Sequence, residues 1–275
     1  MAIDAYLKLH EDATKAGAPI DAYTIDGFRR NDDAFNAAIM AALASPFCAH
    51  GGDNDVTINA AANGRRIYNA KNITLTQTVT LDAELPLVWF ARKKITIGNN
   101  GKIEAKGKGA LKNTDGDFGG SGGGATAGST GKDCVLPVRG TTMLGGGALG
   151  TAGSQLPLEW TSRFFQYLPY AKGGAGGGGA DSGAGGGIVI LCAQEIEFTG
   201  NGQIDARGGD GTANNHGGGG GGLIVLIAGK ITGDSEYDSH ATPVPAGRNV
   251  LYGGGKGHGT GKEGGKGRYL KFIVT

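Results

Sequence analysis

The side chains able to do chemistry are few in this sequence, and they are widely spaced. Gly-Lys pairs recur, among them Gly131-Lys132, Gly255-Lys256, Gly261-Lys262 and Gly265-Lys266. Each lacks the upstream glycine and the following Ser or Thr that a phosphate-cradling loop requires. The stretch Gly259-Thr-Gly-Lys-Glu-Gly264 fits G-x-G-x-x-G, but no strand-to-helix context surrounds it. The histidines (His10, His50, His216, His240, His258) show no ligand spacing, and Asp53-Asn-Asp55 lacks the glycine and distal Glu of a calcium loop. Cys48, Cys134 and Cys192 are far apart with no CxxC pair. No metal, cofactor, zinc site or disulfide framework is therefore expected. Glu104 and Asp205 occupy equivalent places in an internal repeat that relates 88–107 to 189–208. They read as turn or strand-face residues rather than as a glycosidase acid/base pair, and no catalytic residue is assigned.

One segment has recognition chemistry instead. Within 132–170, Trp160, Arg163, Phe164, Phe165, Tyr167 and Tyr170 crowd together. Aromatic rings with a guanidinium among them suit glycan stacking and protein recognition, so these six residues are the candidate receptor-binding set. The structural alternative is that 156–170 is a small helix or cap packing on its neighbours. Loops at 210–217 and 234–250 are further contact candidates.

The elements that would position these groups are set by an unusual composition. Of 275 residues 56 are glycine, and all but five of those lie beyond residue 94. Disorder normally accompanies such density, but proline numbers only 8 and charged residues 19 %, and there is no Gly-X-Y period of the collagen kind. The net charge of +1 argues against a dedicated nucleic-acid binder. Locally, 1–50 is acidic, whereas 248–271 gathers Arg248, Lys256, Lys262, Lys266, Arg268 and Lys271 against Glu263. That stretch reads as a solvated face or as a phosphate-meeting tail. No basic-then-apolar leader opens the sequence, and the longest strongly apolar run, 223–228, is too short to span a bilayer, so membrane insertion is not expected.

Three regions separate along the chain. Residues 1–50 form a helical module: Asn31 caps a helix with Asp32 and Asp33 in its first turn, and Phe35, Ile39 and Leu43 recur at helical spacing. It is either a docking segment or a cap on the end of the β-stack. Residues 51–97 form a β connecting region, with strands expected at 56–58, 73–76, 78–81, 87–90 and 95–97. Residues 98–275 form a glycine-rich repeat domain with an inserted loop at 132–170.

The repeat is explicit. Residues 88–107 align without a gap to 189–208, with an Asn-Gly turn followed by Ile-acid-Ala-base-Gly in both copies. Residues 187–196 align to 222–231, and the last strand follows Gly-Gly-Lys-Gly in the same manner. Glycine runs border each copy, as in His216-Gly-Gly-Gly-Gly-Gly-Gly-Leu223. Such a run has no side chains to bury, and ordering it costs roughly 1–2 kcal/mol per residue of backbone entropy. Either the runs are loose linkers or their amides and carbonyls pair with neighbouring runs. Matched runs between apolar strands favour pairing, of the kind that extended three-residue-per-turn chains allow.

Glycine runs broken by short anchors behind an N-terminal module resemble the tip adhesins of long tail fibres in T-even-like bacteriophages. The resemblance covers 98–275 and rests on composition and run pattern. It implies a polyglycine II sandwich that presents loops to the bacterial surface, and a separate segment docked on the fibre. The Ile-acid-Ala-base-Gly strands depart from it and look more like a parallel β-solenoid. The expected fold is therefore mainly β, a glycine-rich stacked β-solenoid/polyglycine II sandwich with a small N-terminal helical module. The expected function is non-enzymatic: a virion tail protein, made in the host cytoplasm, that attaches through 1–50 to other tail or fibre proteins. It would contact a host surface glycan or outer-membrane protein, as a homotrimer or on a trimeric fibre. The alternatives are a β-solenoid polysaccharide-degrading tailspike enzyme and a purely structural tail component.

Overall fold

The computed structural model describes residues 55–58, 62–63, 67–125, 130–131, 133–134, 171–239 and 244–273. The module expected over 1–50 and nearly all of the inserted loop, with all six of its candidate residues, lie outside that set. Strand is the only regular element among the described residues. The strands are β1 (Asp55–Ile58), β2 (Ala62–Asn63), β3 (Ile67–Leu75), β4 (Thr78–Thr80), β5 (Leu87–Ile97) and β6 (Lys102–Glu104). They continue with β7 (Ile188–Phe198), β8 (Gln203–Asp205), β9 (Leu223–Thr232), β10 (Glu236–Tyr237), β11 (Val250–Leu251) and β12 (Arg268–Ile273).

All the strand pairs are parallel, in two six-stranded sheets. The first runs β1-β3-β5-β7-β9-β12 and the second β10-β11-β8-β6-β4-β2. The chain passes from one sheet to the other and returns one strand further along. The one departure is that β10 takes the edge and β11 fills the place between it and β8. Strands from 51–97 and from 98–275 thus share both sheets.

The two sheets enclose one apolar core. Ile73, Leu75, Leu87, Trp89, Ile95, Val189, Leu191, Ile224 and Leu226 of the first sheet meet Val79, Ile103, Ile204 and Val250 of the second, all at 1 % exposure or less. Alternate residues of β5, β7 and β9 enter this core because side chains alternate across a strand. Those between them lie on the outer face.

Two sequence expectations change in detail. The strands expected at 87–90 and 95–97 are one strand, β5, because β3 and β7 flank it along its length. A bulge between Phe90 and Lys94 absorbs the polar Arg92-Lys93 stretch. That bulge also breaks the gap-free alignment. From Lys94↔Glu195 to Glu104↔Asp205 the register follows the aligned positions, but upstream it is Leu87↔Val189 rather than Val88↔Val189. The second repeat is the register itself, from Ile188↔Leu223 onward.

The glycine runs adjoin the sheets and are ordered by backbone pairing. Every amide and carbonyl of 217–222 has a protein partner, at 2.6–3.0 Å. Gly217 and Gly220 donate to Gly178 and Ala175, Gly218 and Gly221 to Lys262 and Gly265, and Gly219 and Gly222 to Gly209 and Ala206. The carbonyls of Gly217 and Gly220 accept from Gly183 and Gly186, and those of Gly218 and Gly221 from Gly123 and Gly120. Gly219 O accepts from Gly255 N and Gly222 O from Arg268 N. Apart from the carbonyls of Gly219 and Gly222, which accept from different segments, groups three residues apart therefore face the same neighbour, a period unlike the two-residue period of β9, which begins at Leu223. Such close approach leaves no room for a side chain: a Cβ on Gly220 would sit 1.9 Å from Gly120 O. The expectation that runs pair with neighbouring runs is met for the described residues.

Candidate functional site

The glycine lattice has two unlike ends. At one end its runs continue into the sheets, 187 into β7, 222 into β9 and 267 into β12. At the other, the runs turn back through polar loops at 111–115, 179–182, 210–216 and 256–261. Lattice glycines are buried while most of these loop residues are exposed, which is what backbone pairing without side chains produces.

The loops are fastened to one another in series. Asn113 holds Gly179 from both sides, accepting from its N at 2.9 Å and donating Nδ2 to its O at 3.1 Å. Lys112 Nζ donates to Ala180 O at 2.5 Å. Thr212 N donates to Asp181 O at 2.9 Å, and Gly211 N to Lys256 O at 2.9 Å. His216 and His258 form an isolated antiparallel bridge, with His258 N donating to His216 O at 3.0 Å. Gly179 has φ +112°, and a Cβ there would meet His216 Nδ1 at 2.0 Å, so glycine lets the two loops touch.

A shallow depression of about 280 Å³ opens between two of these loops, lined by Asp210, Gly211, Lys256, Gly257, His258 and Gly259. Its carboxylate is already engaged. Asp210 accepts from Lys256 N at 2.8 Å and from Lys106 Nζ at 2.7 Å. Of its lining side chains, Lys256 and His258 are exposed. Leu111, 49 % exposed, adds a large apolar side chain at the same end. By composition this end presents hydrogen-bonding loops on a backbone-paired base. Among the described residues no group of three His, Cys, Asp or Glu is placed to hold a metal ion.

The other sequence candidates fall elsewhere. Glu104 and Asp205 are register partners in β6 and β8, as the repeat implied. Asp205 is 1 % exposed and bound by Arg207, with Lys102 Nζ at 3.6 Å. Burial pushes its carboxyl up, but the hydrogen bonds and charge of Arg207, helped by Lys102, outweigh that and leave it below the ordinary range. The basic stretch 248–271 is partly neutralised: Lys266 meets Asp238 and Lys271 meets Asp234, each at 2.8 Å, while Arg248 donates to the Ser235 hydroxyl and the main-chain O of Glu236. Of the two loop candidates, 210–217 belongs to the loop end, whereas 234–239 lies beside β11 and β12. Loops 111–115 and 179–182 belong to the same end without having stood out in the sequence, and 256–261 lies within the basic stretch that did.

The chain matches no protein-family model, and neither a curated protein nor a solved structure is significantly similar to it.

Proposed function

We propose that this protein is a receptor-binding adhesin of a bacteriophage tail fibre, built as a polyglycine II sandwich on a two-sheet parallel β-solenoid. The observation that carries this reading is the six-neighbour, three-residue-period pairing of 217–222. It makes a stiff base out of bare backbone, one end of which is covered by interlinked polar loops. A stiff base with replaceable loops suits a molecule that must hold a surface against a cell. Residues 1–50 would dock onto another tail or fibre protein, on a trimeric fibre or in a homotrimer, and the loop end would meet a surface glycan or outer-membrane protein. The tight engagement of Asp205 by Arg207 and of Asp210 by Lys106 supports a non-enzymatic role, since neither carboxylate is left poised for proton transfer.

Purified full-length protein should co-sediment with whole bacterial cells of a susceptible strain. The combined variant Leu111→Ser, Lys256→Ala, His258→Ala should lose that binding with its thermal midpoint unchanged. Absence of binding to any strain of a broad panel would favour a scaffold role, and new reducing ends released from capsular polysaccharide would favour the tailspike enzyme.

A further inference from the structure

The outer face of the first sheet carries an apolar surface that the core between the sheets does not use. Two cross-strand rows compose it, Val88–Ile190–Val225–Leu270 and Phe90–Cys192–Ile227–Phe272, each read directly from the register. None of these eight belongs to the core cluster. Yet Val88, Ile190 and Val225 are at most 1 % exposed, and Cys192 and Ile227 are at 5 %. On the same face, beyond these rows, the strands change to ionic pairs, Lys94 with Glu195 and Glu197, and Lys230 with Glu195. On the β1–β3 side, Asp55 and Asn72 are hydrogen-bonded to each other. The apolar rows therefore run across β5, β7, β9 and β12, with Ile67 of β3 next in register to Val88, and are confined to the strand halves nearest the glycine lattice.

Side chains standing on one face of a sheet remain partly wet unless another layer lies on them. The exposures are those of a single chain, so the covering layer is intramolecular. The ends of the inserted loop identify it. Residues 131–134 run beside 263–266, with Gly131 N donating to Glu263 O at 2.7 Å and Cys134 N to Lys266 O at 2.8 Å. At Cys134 the chain is thus heading alongside the entry to β12, and its thiol is buried within the influence of the Arg268 charge. The chain returns at the opposite side of the area. Ala171 is buried, Lys172 N donates to Asp117 at 2.7 Å, and Lys172 Nζ pairs with Glu84 at 3.1 Å, just ahead of β5. Departure beside β12 and return beside β5 bracket the apolar rows. Four strands at about 4.8 Å spacing make roughly 14 Å to cross, which residues 135–170 exceed several times over at about 3.3 Å per residue. This segment also holds Leu156, Leu158, Trp160, Phe164, Phe165 and Tyr167, the chain's densest aromatic cluster.

We infer that the outer face of the first sheet is a docking surface for the chain's own segment 135–170, whose aromatic side chains cover the two apolar rows instead of meeting a receptor. Cys192, in the middle of the second row, reports on it. In the full-length protein, maleimide labelling of Cys192 followed by peptide mass spectrometry should be slow and independent of protein concentration. In Phe164→Ser/Phe165→Ser/Tyr167→Ser it should be about tenfold faster or more, with amide protection of 217–222 retained. Unchanged labelling in that variant overturns the inference. So does acceleration in the wild type on dilution, which would make a second copy the cover. Acceleration by Phe35→Ser/Ile39→Ser/Leu43→Ser alone would assign the cover to the N-terminal residues. Should the serine variant fail to fold, single Trp160→Cys, Phe164→Cys, Phe165→Cys and Tyr167→Cys variants are oxidised instead. An intramolecular disulfide to Cys192 in at least one supports the inference, and none in any of the four overturns it.

Discussion

Arg207 grips Asp205 in a fork, donating Nε to Oδ1 at 2.9 Å and Nη2 to Oδ2 at 2.8 Å, with the Arg207 amide adding a third bond to Oδ1 at 3.2 Å. Both side chains are buried, at 1 % and 8 % exposure, where β8 gives way to the glycine lattice. Removing one partner strands the other charge, so Asp205→Ala should cost about 3–5 kcal/mol, read as a lower denaturation midpoint in urea. The double variant Asp205→Leu/Arg207→Met should recover much of that loss. If it is no better than Asp205→Ala, the site depends on something other than charge pairing.

Acid should weaken the fold through the same group. Asp205 and Asp234 both lie below the ordinary value of 3.8: burial raises each, but Arg207 for the first, and Lys271 with Tyr269 for the second, outweigh it. A carboxyl depressed in the folded state stabilises above its unfolded pKa, and that contribution drains away as pH falls through the folded value. Asp117, raised chiefly by burial, acts in the opposite sense. Thermal midpoints should therefore drop below about pH 4, and Asp205→Asn should show a shallower acid limb than the parent protein. Superimposable acid limbs would disprove the assignment.

Crowding in the lattice makes a graded prediction. A Cβ at Gly220 would stand 1.9 Å from Gly120 O, whereas one at Gly247 meets nothing within 4 Å and suffers only from its φ of +78°. Gly247→Ala should cost about 1–2 kcal/mol, the penalty of a left-handed L-residue. Gly220→Ala should cost well beyond that, lowering the yield of folded protein, because backbone from two runs has to separate. Equal melting temperatures for the two variants would contradict the packing described.

Hydrogen exchange reads the lattice directly. Amides of 217–222, each bonded and buried, should exchange as slowly as those of β9. Those of Gly247 and Gly259, in turns at the surface, should exchange early. Rapid exchange throughout 217–222 would reduce the runs to linkers.

How much of the fold and the loop end is legible in the sequence depends on side chains. The pairing of β7 with β9 can be read off the sequence because Ile-Val-Ile-Leu-Cys-Ala and Leu-Ile-Val-Leu-Ile-Ala carry the same apolar pattern, and their alignment is their register. The pairing of β5 with β7 is legible only downstream of Lys94, since a bulge shifts register without changing residue type. Which run contacts which is not legible, because Gly220 and Gly221 are chemically identical yet donate to Ala175 and Gly265 respectively. The exchange of order between β10 and β11 is hidden for a related reason: two-residue strands carry almost no pattern. Convergence of 111–115, 179–182, 210–216 and 256–261 depends on run directions, which glycine does not encode.

The three-residue recurrence along 217–222 has an evolutionary corollary. Gaining or losing one glycine would swing every later amide in that tract by a third of a revolution, aiming it at the wrong neighbour. Adding three would restore the phase. Tract lengths are thus free to change only in quanta, while the turns that join them are bound by no such arithmetic. Side chains can drift at the turns while the framework beneath keeps count.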